Sequence, residues 1–217
     1  MVDALPYSRV LLNTAIVAGC VMIGQVLTCA SAGYALARLR FPGRDGLIGA
    51  ALVLLSFPAI LLLIPRYLMI QALGWADTFP GLIATELVSV WGIFLMQQAF
   101  VALPREVDDA ARLDGAGEWT LFWRVILPMA RPAVAALALV AFLDQWRNFL
   151  WPLVVTTSSR MQVAEVALVH VHTAYDGNWQ YQMAAAVLLT LPVFLVCVLA
   201  QRYMMPAVGA TGANVRL

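Results

Sequence analysis

From Val10 to Ala37 the chain runs through 28 residues without one Asp, Glu, Lys or Arg. A helix crosses the hydrocarbon core of a bilayer with about 20 predominantly apolar residues, and this run exceeds that length. Four more runs follow at 46–72, 79–103, 132–156 and 182–205, interrupted only by Arg66, Glu86, Asp144, Arg147 and Arg202. Composition agrees with a membrane environment. Hydrophobic residues make up 63% of the chain and charged residues 12%, about half the usual charged share. So little charge does not cover a globular surface in water, which argues against a soluble enzyme, a nucleic-acid binder or a disordered segment. The expected fold class is all-α: a polytopic membrane helix bundle, a single domain over 1–217 with five spans. Pro58, Pro65, Pro152 and Pro192 lie in or near span ends, where membrane helices tolerate proline.

The remaining charge sets an orientation. All 13 basic residues are Arg, so the chain lacks a lysine for a Walker A loop, a Schiff base or nucleophilic catalysis. The net charge of +1 points to no charged partner. Nine arginines (Arg38, Arg40, Arg44, Arg105, Arg112, Arg124, Arg131, Arg202 and Arg216) fall on one side of the five spans, and three (Arg9, Arg66 and Arg160) on the other. The positive-inside rule then places loop 104–131 and the tail 206–217 in the cytoplasm, and loop 157–181 outside. The N-terminus falls outside although residues 1–9 carry no signal-peptide core, so a further span is expected upstream of residue 1. Cys20, Cys29 and Cys197 sit in apolar runs without metal-ligand spacing and read as small packing residues. His170 and His172, two positions apart, are no helical metal pair. No metal or cofactor is expected.

The polar stretch PREVDDAARLDGAGEWTLFWRVILPMARP (104–132) is the one sizeable insertion between spans. Pro104 suits a helix start, and Glu106, Asp108 and Asp109 suit its first turn. Ala110, Ala111 and Leu113 offer a small apolar face, and Gly115 is placed to end the helix in the left-handed conformation. A second helix over about 118–126 would put Trp119, Phe122, Trp123 and Ile126 on one side, with Leu127-Pro128 breaking it. From these residues alone the pair reads equally as a helix seated among lipid headgroups or as a docking knob for a cytoplasmic partner.

The spacing Asp109-Ala110-Ala111-x3-Gly115-x9-Val125-x-Leu127-Pro128 resembles the EAA loop of bacterial ABC importer permeases, EAA-x3-G-x9-I-x-LP. Asp replaces Glu at 109 and Val replaces Ile at 125. The string DAARLDGA…VILP…RP looks like the carbohydrate-uptake branch, the maltose and glycerol-phosphate type. LLNTAIVAG (11–19), GYALARLRFPGR (33–44), QWRNFLWPL (145–153), the final span (178–203) and GATGANVRL (209–217) are similar to family segments in the same order. At 147 and 148, Arg and Asn replace the family's usual Asn and acid.

This resemblance implies the type I importer transmembrane fold, six family spans of which five are present here, and a bacterial inner-membrane location. It implies a second homologous permease, a homodimer of ATPase subunits that bind the ATP, and an extracytoplasmic solute-binding protein. Membrane lipid is the remaining contact, and no nucleic acid. Carried over by position, Asp109, Ala110, Ala111, Asp114 and Gly115 are the ATPase-coupling residues. Gly209, Thr211 and Val215 form an ATPase-facing tail, and Tyr175, Asp176, Gly177 and Asn178 a binding-protein-facing loop.

Asp144 and Arg147, at i, i+3, are able to pair inside the membrane. With Trp146 and Asn148 they are candidates for a polar solute path, against the plainer reading of a structural ion pair. Arg66 and Glu86 fall at similar depth on neighbouring spans, which predicts that they pair as well. A self-sufficient transporter or channel is the alternative, with a membrane-embedded enzyme behind it. Neither explains the loop spacing, and no HExxH, GxSxG or DxD-type pair supports an enzyme.

Overall fold

A computed structural model describes residues 7–174 and 179–212, the side chains at 59, 171–174, 181 and 201–212 excepted. The described residues are helical and contain no strand. In chain order the helices are α1 (Tyr7–Arg38), α2 (Arg44–Leu55), α3 (Leu63–Ala72), α4 (Phe79–Ile83), α5 (Val90–Val101), α6 (Glu106–Leu113), α7 (Glu118–Thr120), α8 (Leu127–Met129), α9 (Arg131–Trp146), α10 (Leu150–Val155), α11 (Ala164–Ala174) and α12 (Trp179–Gly212). Short 3₁₀ turns precede α3 and follow α4, and a π-helical turn, Leu121–Ile126, joins α7 to α8.

Two helices are by themselves long and apolar enough to cross a membrane, Tyr7–Arg38 and Gln182–Ala200. Three interrupted helix pairs bring the number to five. The interruptions depart from the uniform spans expected from the sequence, and each has a local cause. Pro58 lacks an N–H and restricts Phe57, which separates α2 from α3. Ser89 is extended and accepts the Gly92 N–H at 3.1 Å, a cap that starts α5 afresh rather than continuing α4. The third interruption falls at Ala130, between α8 and α9, where Pro132 lacks the N–H that would donate to the Pro128 carbonyl.

The chain folds as two compact units, and α1, α9 and α12 contribute to both. The first unit comprises 1–23, 59–87 and 139–199. Val17, Val21, Ile70, Leu82, Trp151, Val155, Val163 and Val166 form its larger core. The helix α11 occupies the middle of loop 157–181. Val163, Val166 and Ala167, at i, i+3, i+4, give α11 an apolar stripe that packs inward. Two polar residues of α1 hold the start of α11. Asn13 donates to the carbonyls of Arg160 (2.8 Å) and Gln162 (3.0 Å), and the Thr14 hydroxyl accepts the Ala164 N–H at 2.9 Å. In α12, Pro192 leaves the Leu188 carbonyl without its helical donor, and the Tyr7 hydroxyl donates to it at 2.7 Å.

The turn 74–78 is fixed by conformation and by charge. Gly74 adopts φ 68° and ends α3 through the Gly74→Gln71 and Trp75→Ile70 backbone bonds, a Schellman arrangement. Asp77, also at positive φ (56°), accepts the N–H groups of Thr157 and Ser158 on its carboxylate, each at 3.0 Å. Burial pushes this carboxyl up, but the donors at Ser158 and Thr157 outweigh it and hold it below the usual range.

The second unit comprises 24–58, 88–138 and 200–217. Its core gathers Cys29, Ala30, Tyr34, Ala37, Met96, Phe100, Leu121, Phe122, Ile126, Ala130 and Leu137. α1 and α5 approach so closely that a Cβ on Gly33 would lie 2.8 Å from Met96 Cβ, and one on Gly92 2.9 Å from Cys29 Sγ. Small residues at such a crossing are what lets membrane helices gain packing energy. Cys29 is buried there, with Sγ 3.4 Å from the Ser89 carbonyl, as a packing residue.

Candidate coupling site

The helix α6 is eight residues long, and its two faces differ. Asp108 is buried and Ala111 half-buried against the core of the second unit, while Asp109, Ala110 and Leu113 are exposed. Ala110 and Ala111, adjacent in the small apolar face expected from the sequence, are separated by packing: Ala111 turns inward and Ala110 outward. Gly115 ends the helix at φ 84°, with Gly115→Arg112 and Ala116→Ala111 backbone bonds satisfying the last carbonyls. Asp114, the residue before it, is the exposed C-cap.

The inward face carries charge beyond the coupling residues that the resemblance implies. Asp108 Oδ2 lies 3.3 Å from Arg38 Nε, and the two side chains are only 5% and 2% exposed. Arg38 Nη2 also donates to the Leu103 carbonyl at 2.9 Å. Beside this pair, Tyr34 donates to Glu118 Oε2 at 2.7 Å and Arg112 donates to Glu118 Oε1 at 2.8 Å. The Tyr34 hydroxyl, together with Arg112, holds the Glu118 carboxyl below the usual range although burial opposes it. Asp109 lies 3.9 Å from Arg112 with a mostly exposed side chain, a weak contact. A pocket of about 480 Å³ opens here, lined by Arg40, Arg105, Asp109, Arg112 and Glu118 among others. One signal for Asp108 was present in the sequence: it shares a helical stripe with the inward-facing Ala111, so it was bound to meet a partner or be left buried and bare.

The stretch after α6 corrects two expectations. Leu127-Pro128 does not break the second helix, which runs on to Met129 and bends by 80° around Ala130. The π turn makes this continuous path: the Leu127 N–H donates to Phe122, five residues back, which shifts the register just before the donor-less Pro128. The same turn rotates the expected apolar face. Leu121, Phe122 and Ile126 are buried, whereas Trp119 and Trp123 are exposed.

Of the four candidate solute-path residues, Trp146 and Asn148 have hydrogen-bond partners outside the set. α9 ends at Trp146, so Arg147 lies past the last helical residue, and it makes no ion pair with Asp144 within 4.0 Å. Trp146 is buried, with its indole N–H donated to the Leu189 carbonyl at 3.2 Å. Asn148 donates to Gln145 Oε1 at 3.3 Å. Gln145 in turn donates to Glu86 at 3.2 Å, and Glu86 pairs with Arg66, as expected from their depth. Arg66 also donates to the Thr85 hydroxyl at 2.7 Å and stacks over Trp151, 4.3 Å from the ring centroid. Of the tail residues, Gly209 and Thr211 belong to the backbone of α12. Val215 and the segment Tyr175, Asp176, Gly177 and Asn178 lie outside the described residues. No group of His, Cys, Asp and Glu side chains able to hold a metal occurs among the described residues.

The family of binding-protein-dependent transport system inner membrane components matches residues 30–209. The chain is 31% identical over 194 residues to the arabinooligosaccharides transport system permease protein AraQ of Halalkalibacterium halodurans, covering 89% of this chain and 70% of that one. It is 33% identical over 197 residues to the sn-glycerol-3-phosphate transport system permease protein UgpE of Agrobacterium fabrum, covering 90% and 70%. In fold it resembles a bacterial ABC transporter involved in the import of the acidic polysaccharide alginate, with TM-score 0.80, 22% identity, and 91% and 75% of the two chains covered. It also resembles the MetNI methionine ABC transporter, with TM-score 0.69, 16% identity, and 92% and 94% covered. The fold is that of importer membrane subunits, and the chain, a multi-pass membrane protein, belongs to the binding-protein-dependent transport system inner membrane component family.

Proposed function

We propose that this chain is one of two permease subunits of an ATP-driven importer, forms half of the translocation pathway, and receives the force of ATP hydrolysis through loop 104–131. The observation that carries the reading is the exposed face of α6, where Asp109, Ala110 and Leu113 stand outward on a short helix stopped by Gly115. Small and acidic groups on such a face suit insertion into a cleft of an ATPase subunit. ATP is bound by a homodimer of those subunits, and this chain performs no chemical step itself. Its C-terminus and loop 104–131 are cytoplasmic. A solute-binding protein meets the side carrying loop 157–181. The solute is a sugar or sugar-like polyol, in line with the oligosaccharide and glycerol phosphate named for its relatives.

Two substitutions test the docking face. Gly115→Pro removes the positive φ that ends α6, and Ala110→Trp puts bulk on its outward side without touching the core. Both variants should insert into membranes normally, fail to retain the ATPase on purification, and lose uptake in reconstituted vesicles. Wild-type uptake by both would end the assignment.

A further inference from the structure

The inward face of α6 has a use that the docking face alone does not supply. An eight-residue helix is marginal by itself, and a push on its outer side moves the rest of the protein only if its inner side is fixed. We infer that the buried Arg38–Asp108 pair, backed by the Tyr34–Glu118–Arg112 chain, is a positioning lock that makes α6, the end of α1 and α5 move as one body. The inference rests on the docking reading above and assigns residues to its mechanical linkage.

Arg38 is the last residue of α1 and Asp108 lies in the first turn of α6. Each charge therefore complements the helix end that carries it. One guanidinium reaches both the Leu103 carbonyl, which precedes α6, and the Asp108 carboxylate within it. It thus fixes the helix and its lead-in together. The second link uses both oxygens of Glu118, one toward Tyr34 on α1 and one toward Arg112 on α6. The Tyr34 ring carries the path onward, with Phe122 at 5.0 Å and Phe100 of α5 at 6.2 Å between centroids. Where α1 meets α5, Gly33 leaves no slack against Met96. Docking and locking occupy opposite faces of the same helix.

Stability is a poor explanation for the inner pair. A buried ion pair adds little net stability over apolar side chains of similar volume, and fixing a single arrangement is its better-attested use. The pair is also incompletely satisfied, since Asp108 Oδ1 and Arg38 Nε have no hydrogen-bond partner. Orientation accounts for both facts.

The test uses the full chain purified with its ATPase in nanodiscs, with Cys20, Cys29 and Cys197 replaced by Ala. Spin labels are placed at Leu27→Cys on α1 and Glu106→Cys on α6. With the lock intact, one narrow interlabel distance is expected, unchanged between the nucleotide-free and vanadate-trapped states. In the apolar double variant Arg38→Met/Asp108→Leu the ATPase should still co-purify, while the distribution broadens about twofold or more, or shifts on trapping, as α6 samples several orientations. Should that variant fail to insert, Tyr34→Phe, which breaks only the second link, is expected to broaden it to a smaller degree. A narrow, unchanged distance in the variants would overturn the lock, and so would a distance that shifts on trapping in the unmodified background. An unmodified chain that retains no ATPase would instead overturn the docking reading, and the widths in the variants would still judge the lock.

Discussion

Each unit of the molecule holds an arginine–carboxylate pair, half-buried in the first and buried in the second, and the two pairs are surrounded differently. In the first unit, Glu86 accepts from both Arg66 and Gln145, while Arg66 also reaches Thr85 and lies over Trp151. In the second, Arg38 and Asp108 are more deeply buried, and Asp108 Oδ1 lacks a hydrogen bond, whereas both Glu86 oxygens accept one. The first pair lies inside spans, where an isolated charge is expensive, and it is met from several elements. The second lies at the foot of a span, where α6 has to be held at a set angle. The difference teaches that the environment of a buried pair, more than its presence, tells a structural brace from a mechanical joint.

The largest expected effect breaks the brace. Glu86→Leu leaves Arg66 unpaired and should destabilise the purified chain by about 3 kcal/mol, seen as a lower unfolding temperature and yield. Arg66→Leu/Glu86→Leu should recover part of that loss. A double mutant no better than the sum of its singles would show that the two do not act as a pair.

Next comes the packing that surrounds the joint. Gly33→Leu should destabilise the second unit by about 1–3 kcal/mol through overpacking against Met96 and Gln97. Hydrogen exchange would show the loss in α1 and α5. Unchanged protection there would mean that the close approach carries no energetic weight.

A smaller effect concerns Trp146. Trp146→Phe removes one hydrogen bond to the Leu189 carbonyl and should lower stability by about 1 kcal/mol, with solute selectivity unchanged. Altered selectivity in an uptake assay would put Trp146 on the translocation path and upset its reading as a brace.

The smallest effect is on pH. The Glu118 carboxyl is held below its usual 4.5, so its contribution to the folded state is complete above that value and fades as pH falls through the lowered one. Being half exposed, it contributes little. Protease cleavage near 116–120 should therefore rise modestly in acid and not at alkaline pH, and Glu118→Gln should flatten the profile.

The positions of the helices and of the polar loop were legible because hydrophobic length and turn chemistry are local properties. Gly115 is an instance: its place after an alanine-rich turn predicts a left-handed cap, and φ 84° is what it adopts. The Arg66–Glu86 pair was legible too, because charges at matched depth on neighbouring spans have few other partners. Asp108 and Asp109 look alike in the sequence, yet one faces the core and the other solvent. A one-residue step turns a helical side chain through roughly 100°, and only the surface of α1 decides which of the two it meets.

Residue order by itself determined an all-α membrane protein, the limits of its apolar runs, and a loop whose spacing identifies the family. Tertiary structure decided which tryptophans of the 118–126 stretch are left exposed, which donor meets the carbonyl that Pro192 leaves free, and which carboxylate of α6 meets Arg38. The physical reason is common to all three. Apolar length and helix-ending residues act along the chain, whereas register at a π turn, the donor that meets a proline-freed carbonyl and the partner of a buried charge are set by other segments, which local sequence does not encode.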